Sequence, residues 1–147
     1  MNRIEILPNL WISSIKNANN KGLNILCNIN ILINAENDLD FLDNHTNYNS
    51  HISSNIEKYE ILKTHEYLIE TTNFIKSNLI NNKSILIFCN DAIQKSPLII
   101  VAYLIRFGNM TKHEAINIIK SKHSNAFYPN IKYEHSLDKI SSLNINN

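Results

Sequence analysis

Residues Ser84 to Pro97 read Ser-Ile-Leu-Ile-Phe-Cys-Asn-Asp-Ala-Ile-Gln-Lys-Ser-Pro. The apolar run Ser84 to Phe88 has the make-up of a central strand buried on both faces. It ends at Cys89, a loop follows to Lys95, and an apolar helix is expected from Ser96 to Phe107, stopped by Gly108. A loop between a strand and a helix N-terminus can turn successive backbone N–H groups inward and hold an anion. The same field lowers the pKa of a thiol at its centre and makes it a nucleophilic thiolate. The plainer reading of Cys89 is a buried structural cysteine.

The elements that must position this loop can be read from pattern. Ile4 to Leu7 and Leu10 to Ile12 suit two short strands broken at Pro8-Asn9. Ser14 to Lys21 suits a short helix ending near Gly22. Asn24 to Ile33 alternates Ile or Leu with Asn and Cys, which predicts a strand with Ile25, Cys27, Ile29, Ile31 and Ile33 on one buried face. Asn34 to Ser54 reads as a long polar loop. Leu62 to Leu79 predicts a helix. Thr111-Lys112-His113-Glu114 is a capping box opening a helix to about Lys122. Pro129-Asn130 is expected to start a last short helix carrying Tyr133, Leu137 and Ile140, with residues 141–147 a frayed tail. Strands alternating with helices argue for an α/β domain with a mostly parallel central sheet of four to five strands flanked by helices.

The 147 residues suit a single domain, 1–147, with 44% hydrophobic and 18% charged residues. A net charge of +1 gives no broad basic field for nucleic acid or an anionic membrane. The longest apolar run, Pro97 to Ile105, falls far short of the ~20 residues of a membrane span. Two cysteines are too few for a disulfide framework and suit a reducing, cytoplasmic setting. The six histidines show no metal-ligand spacing, so no metal and no cofactor is expected. Lys120, Lys122 and His123 are read as complementing a helix dipole. With only two glycines in the chain, asparagine is expected to supply left-handed turn positions. The excess of asparagine and isoleucine is the codon signature of an AT-rich genome such as that of a virus or protist.

The loop and its surroundings resemble the dual-specificity phosphatases, a Cys-based family with the signature His-Cys-x5-Arg-Ser. Cys89, Ser96 and Pro97 match it, as do Ala102-Tyr103-Leu104, Met110-Thr111, Glu114-Ala115-Ile116 and Pro129-Asn130 downstream. Ile6-Leu7-Pro8-Asn9-Leu10-Trp11-Ile12-Ser13-Ser14 resembles the family's opening segment. The resemblance implies that Cys89 is the nucleophile and that Cys89, Asn90, Asp91, Ala92, Ile93, Gln94 and Lys95 form the phosphate loop.

The departures bear on activity. Lys95 stands where the family has arginine, and lysine offers a point charge instead of a two-pronged grip on phosphate. Phe88 replaces the histidine before the cysteine. Ala92 replaces a glycine whose backbone angles cost alanine ~1 kcal/mol or more. Asp91 adds a carboxylate that opposes both thiolate and phosphate. The family's general acid aligns with Lys58, which cannot serve; Glu57 and Glu60 are the nearest carboxyls, and Glu57 could serve only after a one-residue shift. Loss of one transition-state donor commonly costs ~100-fold in rate. Ser96, which assists thiolate departure in the family, is read as a helix cap here. Lys95 is read as reaching solvent or pairing with Asp91.

The expected function is that of a pseudophosphatase, an inactive or strongly impaired homologue and not a working enzyme. It would act as a protein-binding or regulatory module with a phosphoprotein or regulatory protein, or a second copy of itself, as partner. The alternative is a low-activity phosphatase using Cys89 with Lys95 in the arginine's place. A third reading, RNA 5′-triphosphatase activity, is disfavoured by the near-neutral charge.

Overall fold

The computed structural model describes residues 3–36, 46–50 and 58–145. Strand β1 (Ile4–Leu7) turns at Pro8-Asn9 into β2 (Leu10–Ser14), and the two pair antiparallel. The turn needs a left-handed residue, and Asn9 takes that role at φ 69° while its N–H bonds Glu5 Oε2 at 3.1 Å. Strands β3 (Ile31–Asn34), β4 (Thr46–Asn49) and β5 (Ile85–Cys89) complete a five-stranded sheet in the order β1-β2-β5-β3-β4. All pairings after the first hairpin are parallel.

Strand β5 lies at the centre and every residue of it is buried. Ile85, Ile87 and Cys89 join the larger core, while Leu86 and Phe88 join a smaller cluster with Ala18, Ile29 and Leu32. Burial on two faces explains a strand written with no polar alternation. The larger core is closed by helices α3 (Lys58–Ile80), α4 (Lys95–Phe107), α5 (Lys112–Lys122) and α6 (Glu134–Ile145). The smaller one is covered by α1 (Ile15–Ala18), with Cys27 from the end of α2 (Lys21–Leu26) packed against it. Thr111 caps α5 through the expected reciprocal bonds with Glu114.

The segment before β3 departs from the alternating pattern. Asn24 to Leu26 lie in α2, not in a strand, and only Ile31–Asn34 pairs in the sheet. Asn20 caps α2 by accepting from Leu23 N at 3.1 Å, so Gly22 sits inside a helix and does not end one. Asn24 is buried but satisfied: its amide donates to Ala18 O at 3.0 Å and accepts from Arg3 Nη1 at 2.7 Å. Ile25, expected on the buried face of that alternation, is 75% exposed. The helix expected from Ser14 to Lys21 is interrupted at Asn19-Asn20, separating α1 from α2. The long polar loop contains β4, and α3 begins at Lys58, before Leu62. Helix α6 starts at Glu134, later than Pro129, and runs through Ser141 to Ile145, where a frayed tail was expected.

Asparagine does supply left-handed positions, at Asn9, Asn28, Asn82 and Asn109. The two other such residues among those described, Ala92 and Phe127, both belong to the site below. At the end of α4 the requirement is steric. A Cβ on Gly108 would stand 2.6 Å from Leu104 O, the carbonyl that accepts the Gly108 N–H at 2.9 Å. Gly108→Ala is therefore expected to lower stability by about 1–3 kcal/mol in urea denaturation, while Gly22→Ala, where the nearest atom is 3.5 Å away, leaves it unchanged or raises it.

Candidate phosphate loop and its comparisons

Parallel strands in register bring their C-terminal ends to one edge of the sheet. Ser14 pairs with Cys89 and Asn34 with Phe88, and Ala35 N continues the ladder by donating to Phe88 O at 2.8 Å. Glu36, the second residue beyond β3, and Asn90, the first beyond β5, therefore face each other. Between β5 and α4 the loop Cys89 to Lys95 is wound around the cysteine sulfur.

Cys89 Sγ accepts from Ala92 N at 3.2 Å and Ser96 N at 3.4 Å, and shares a hydrogen bond with Ser96 Oγ at 3.1 Å. It is 1% exposed. Burial pushes its pKa up, the three bonds from Ser96 and Ala92 offset part of that rise, and the charge on Asp91 adds to it. The sulfur thus keeps the donors that suit a thiolate but lies too deep to ionise readily. Ser96 does not cap the helix: it sits inside α4, and its hydroxyl is spent on the sulfur. The cap position falls to Gln94, whose side chain makes no capping bond.

Ala92 adopts φ 62°, the left-handed angle that suits glycine. It is held there by its N–H on the sulfur and by His123 Nε2, 2.9 Å from its carbonyl oxygen. Ile93 O accepts from Phe127 N at 2.7 Å. Gln94 donates its amide to Asn130 O at 2.9 Å and Tyr128 O at 3.3 Å, and accepts from Lys132 N at 3.2 Å. The segment between α5 and α6 thus clamps the loop from outside. Lys120 and Lys122 lie in the last turn of α5, as a dipole role requires, and two of the cluster also have backbone partners: Lys122 Nζ bonds Ile6 O at 2.9 Å, and His123 bonds the loop.

Lys95 neither reaches solvent nor pairs with Asp91. Its side chain is 7% exposed and its Nζ lies 2.7 Å from Glu36 Oε2. The other oxygen of Glu36 accepts from Asn90 N at 3.3 Å. Asp91, which is exposed, turns back on its own loop and accepts from Ile93 N at 3.0 Å. Over this lies a polar cavity of 190 Å³ lined by Glu36, Asn90, Asp91, Gln94, Lys95, Lys132 and Tyr133. Tyr133 has its pKa pushed up to about 12 by burial first, then by the negative charges of Glu36 and Cys89.

Phe88 fills the apolar cluster with Leu32 and Leu86 on the far face of the sheet from Cys89, so no imidazole supports the loop from that position. Lys58 is the first residue of α3, and Glu60 lies in the same helix; Glu57 is outside the described residues, so that alternative acid has no placement. Cys27, expected on a buried strand face, instead ends α2 and is partly buried; both cysteines are free. Among the described residues no group of His, Cys, Asp and Glu is placed to hold a metal, and no helix is long and apolar enough to cross a membrane.

The sequence reading missed Glu36, Gln94's bridge, His123's hold on Ala92, and Tyr133. Glu36 could have been found from strand order, because a carboxylate just past a strand next to the loop must reach its mouth. The others depend on where the 123–133 segment folds back, which no spacing announces.

Residues 10–142 match the family model described as dual specificity phosphatase, catalytic domain. The chain belongs to the dual specificity phosphatase family. A stretch of 76 residues is 28% identical to "Putative tyrosine phosphatase 123R" of Invertebrate iridescent virus 6, covering 52% of this chain and about half, 53%, of that one. The fold is similar to a point variant of human DUSP28 (TM-score 0.86, 15% identity, 100% of this chain and 99% of that one). It is also similar to the human tyrosine phosphatase-like serine/threonine/tyrosine-interacting protein (TM-score 0.82, 19% identity, 98% of each).

Two outcomes follow from this geometry. Because burial raises the Cys89 pKa, the thiol form dominates at neutral pH and the reactive thiolate appears only as pH climbs above the usual thiol range. Iodoacetamide labelling followed by mass spectrometry should modify the more exposed Cys27 first, with Cys89 labelling slowly at pH 7 and faster above about pH 9. Fast labelling of Cys89 at pH 6 would contradict the placement of its sulfur. Ala92→Gly should relieve the left-handed strain and raise the unfolding free energy by about 1 kcal/mol, read in urea denaturation as a higher midpoint.

Proposed function

We propose that this protein is a pseudophosphatase: an inactive or strongly impaired member of its family that serves as a protein-binding or regulatory module. The observation that supports this most directly is the state of Lys95. The family's phosphate grip calls for an arginine fork turned toward the substrate. Lys95 instead has one ammonium, buried and bonded to Glu36 at 2.7 Å. The nucleophile fares no better, since burial favours the neutral thiol. A phosphate ester entering this site would meet a carboxylate on its cation and a second carboxylate, Asp91, in the loop. It would also lack the bidentate donor that strengthens as charge develops.

A scaffold with this loop can still present surfaces to partners, and a phosphoprotein or regulatory protein is the partner class the family suggests; a second copy of the chain is the other. The likeness in fold to a human protein whose name describes it as phosphatase-like and interacting is in keeping with that role. Two free cysteines suit a reducing, cytoplasmic setting.

The second reading, a slow phosphatase with Lys95 in place of arginine, has one specific observation in its favour. The donors to Cys89 from Ala92 N, Ser96 N and Ser96 Oγ are those a working thiolate would use.

Hydrolysis of para-nitrophenyl phosphate separates the two. The wild-type protein should release no more nitrophenol than its Cys89→Ser variant. Steady turnover that disappears in Cys89→Ser would establish the slow enzyme instead. Joint Lys95→Arg and Ala92→Gly replacement should bring a low, Cys89-dependent rate; Phe88→His is left out because it would bury an imidazole beside Leu32 and Leu86.

A further inference from the structure

Several acceptors that a ligand would otherwise replace are already on the loop. Ile93 N is taken by Asp91, and Ala92 N and Ser96 N by the sulfur. An acceptor from outside the segment Cys89 to Ser96, Glu36, also reaches the mouth of the loop. Its two oxygens hold two groups at the mouth: Asn90 N, the first amide after the cysteine, at 3.3 Å, and Lys95 Nζ, at the family's arginine position, at 2.7 Å. A carboxylate bonded at once to a backbone amide and a buried cation is bound as a small oxyanion would be. The Glu36 side chain is 18% exposed, so it forms part of the cavity wall and is not sealed into the core.

Charge points the same way. The cavity is lined by two cations, Lys95 and Lys132, and two carboxylates, Glu36 and Asp91, so formal charge cancels. With the Glu36 charge gone, the lining carries one net positive charge. The carboxylate is also well fixed, because Ala35 N on Phe88 O extends the β3–β5 ladder to the residue before it, and Glu36 N donates to Asn34 Oδ1 at 2.8 Å.

The geometry points to Glu36 as the resident anion of this loop, a specificity-determining side chain. It occupies the donors of a tetrahedral oxyanion site and keeps phosphate groups out until its carboxylate is displaced. This deepens the proposed function and rests on it only in locating the oxyanion site at Cys89 to Lys95. Lys95 is then a binding residue held in reserve, and the loop is a receptor whose occupant is tethered.

Calorimetric titration of the full chain with tungstate and with inorganic phosphate tests this. Wild type should bind weakly or not at all. Glu36→Gln, which keeps size and removes charge, should bind at least about tenfold tighter. Glu36→Gln with Lys95→Met should lose that gain. Equal affinity in wild type and Glu36→Gln overturns the inference, as does absence of binding in both, or a gain that survives loss of Lys95. Wild-type crystals soaked in tungstate give a reading that does not depend on any variant folding. An anion seated over Cys89 while Glu36 still holds Lys95 and Asn90 overturns the inference; an empty loop, or an anion with Glu36 swung out, supports it. Hydrolysis is read separately. Wild-type turnover would sink the pseudophosphatase reading and leave the affinity ratio standing, whereas an unchanged ratio would sink only the role of Glu36.

Discussion

A buried ammonium must have a counter-charge, and Lys95 takes its own from Glu36. The pair joins two segments far apart in sequence and sits where the ends of β3 and β5 meet. Removing the Glu36 carboxylate would take from Lys95 the counter-charge 2.7 Å from its ammonium and lower stability. The arrangement of the loop mouth follows: Asn90 has its acceptor, the cavity is lined by balanced charges, and Tyr133, whose pKa burial raises first, is pushed further up by the carboxylate.

The parallel register is what makes that pairing possible. Because Asn34 lies opposite Phe88, one further step of ladder carries the chain to Glu36 at the level of Asn90. On the other side of β5, Ser14 lies opposite Cys89, so the sulfur stands at the same edge. The 123–132 segment then fixes the loop from outside through His123, Phe127 and Gln94. Each of these contacts holds the loop in its curved shape. A left-handed alanine persists there because its neighbours over-determine it.

How much of this was legible varied with the range of the interaction. The β5-loop-α4 unit, the capping box at Thr111 and the stop at Gly108 are local, and their residues announce them. Over Asn24 to Ile33 the period-two spacing gives way to capping: Asn20 opens a helix, and the buried Asn24 side chain bonds Ala18 and Arg3, both outside the period-two pattern. Ser96 was misread for a related reason. Its hydroxyl had two plausible partners, and only the depth of Cys89 decides between them. Glu36 is legible only once strand order is known, because its role depends on β3 lying beside β5 and not on any local pattern.

The asparagines at left-handed turns have a consequence for the denatured ensemble. A glycine at Asn9, Asn28, Asn82 or Asn109 would reach the same angles with less strain, but it would also let the unfolded chain explore far more backbone conformations. With a side chain at each turn, the chain gives up less entropy when it folds. That part of the stability at these positions arises on the unfolded side of the equilibrium.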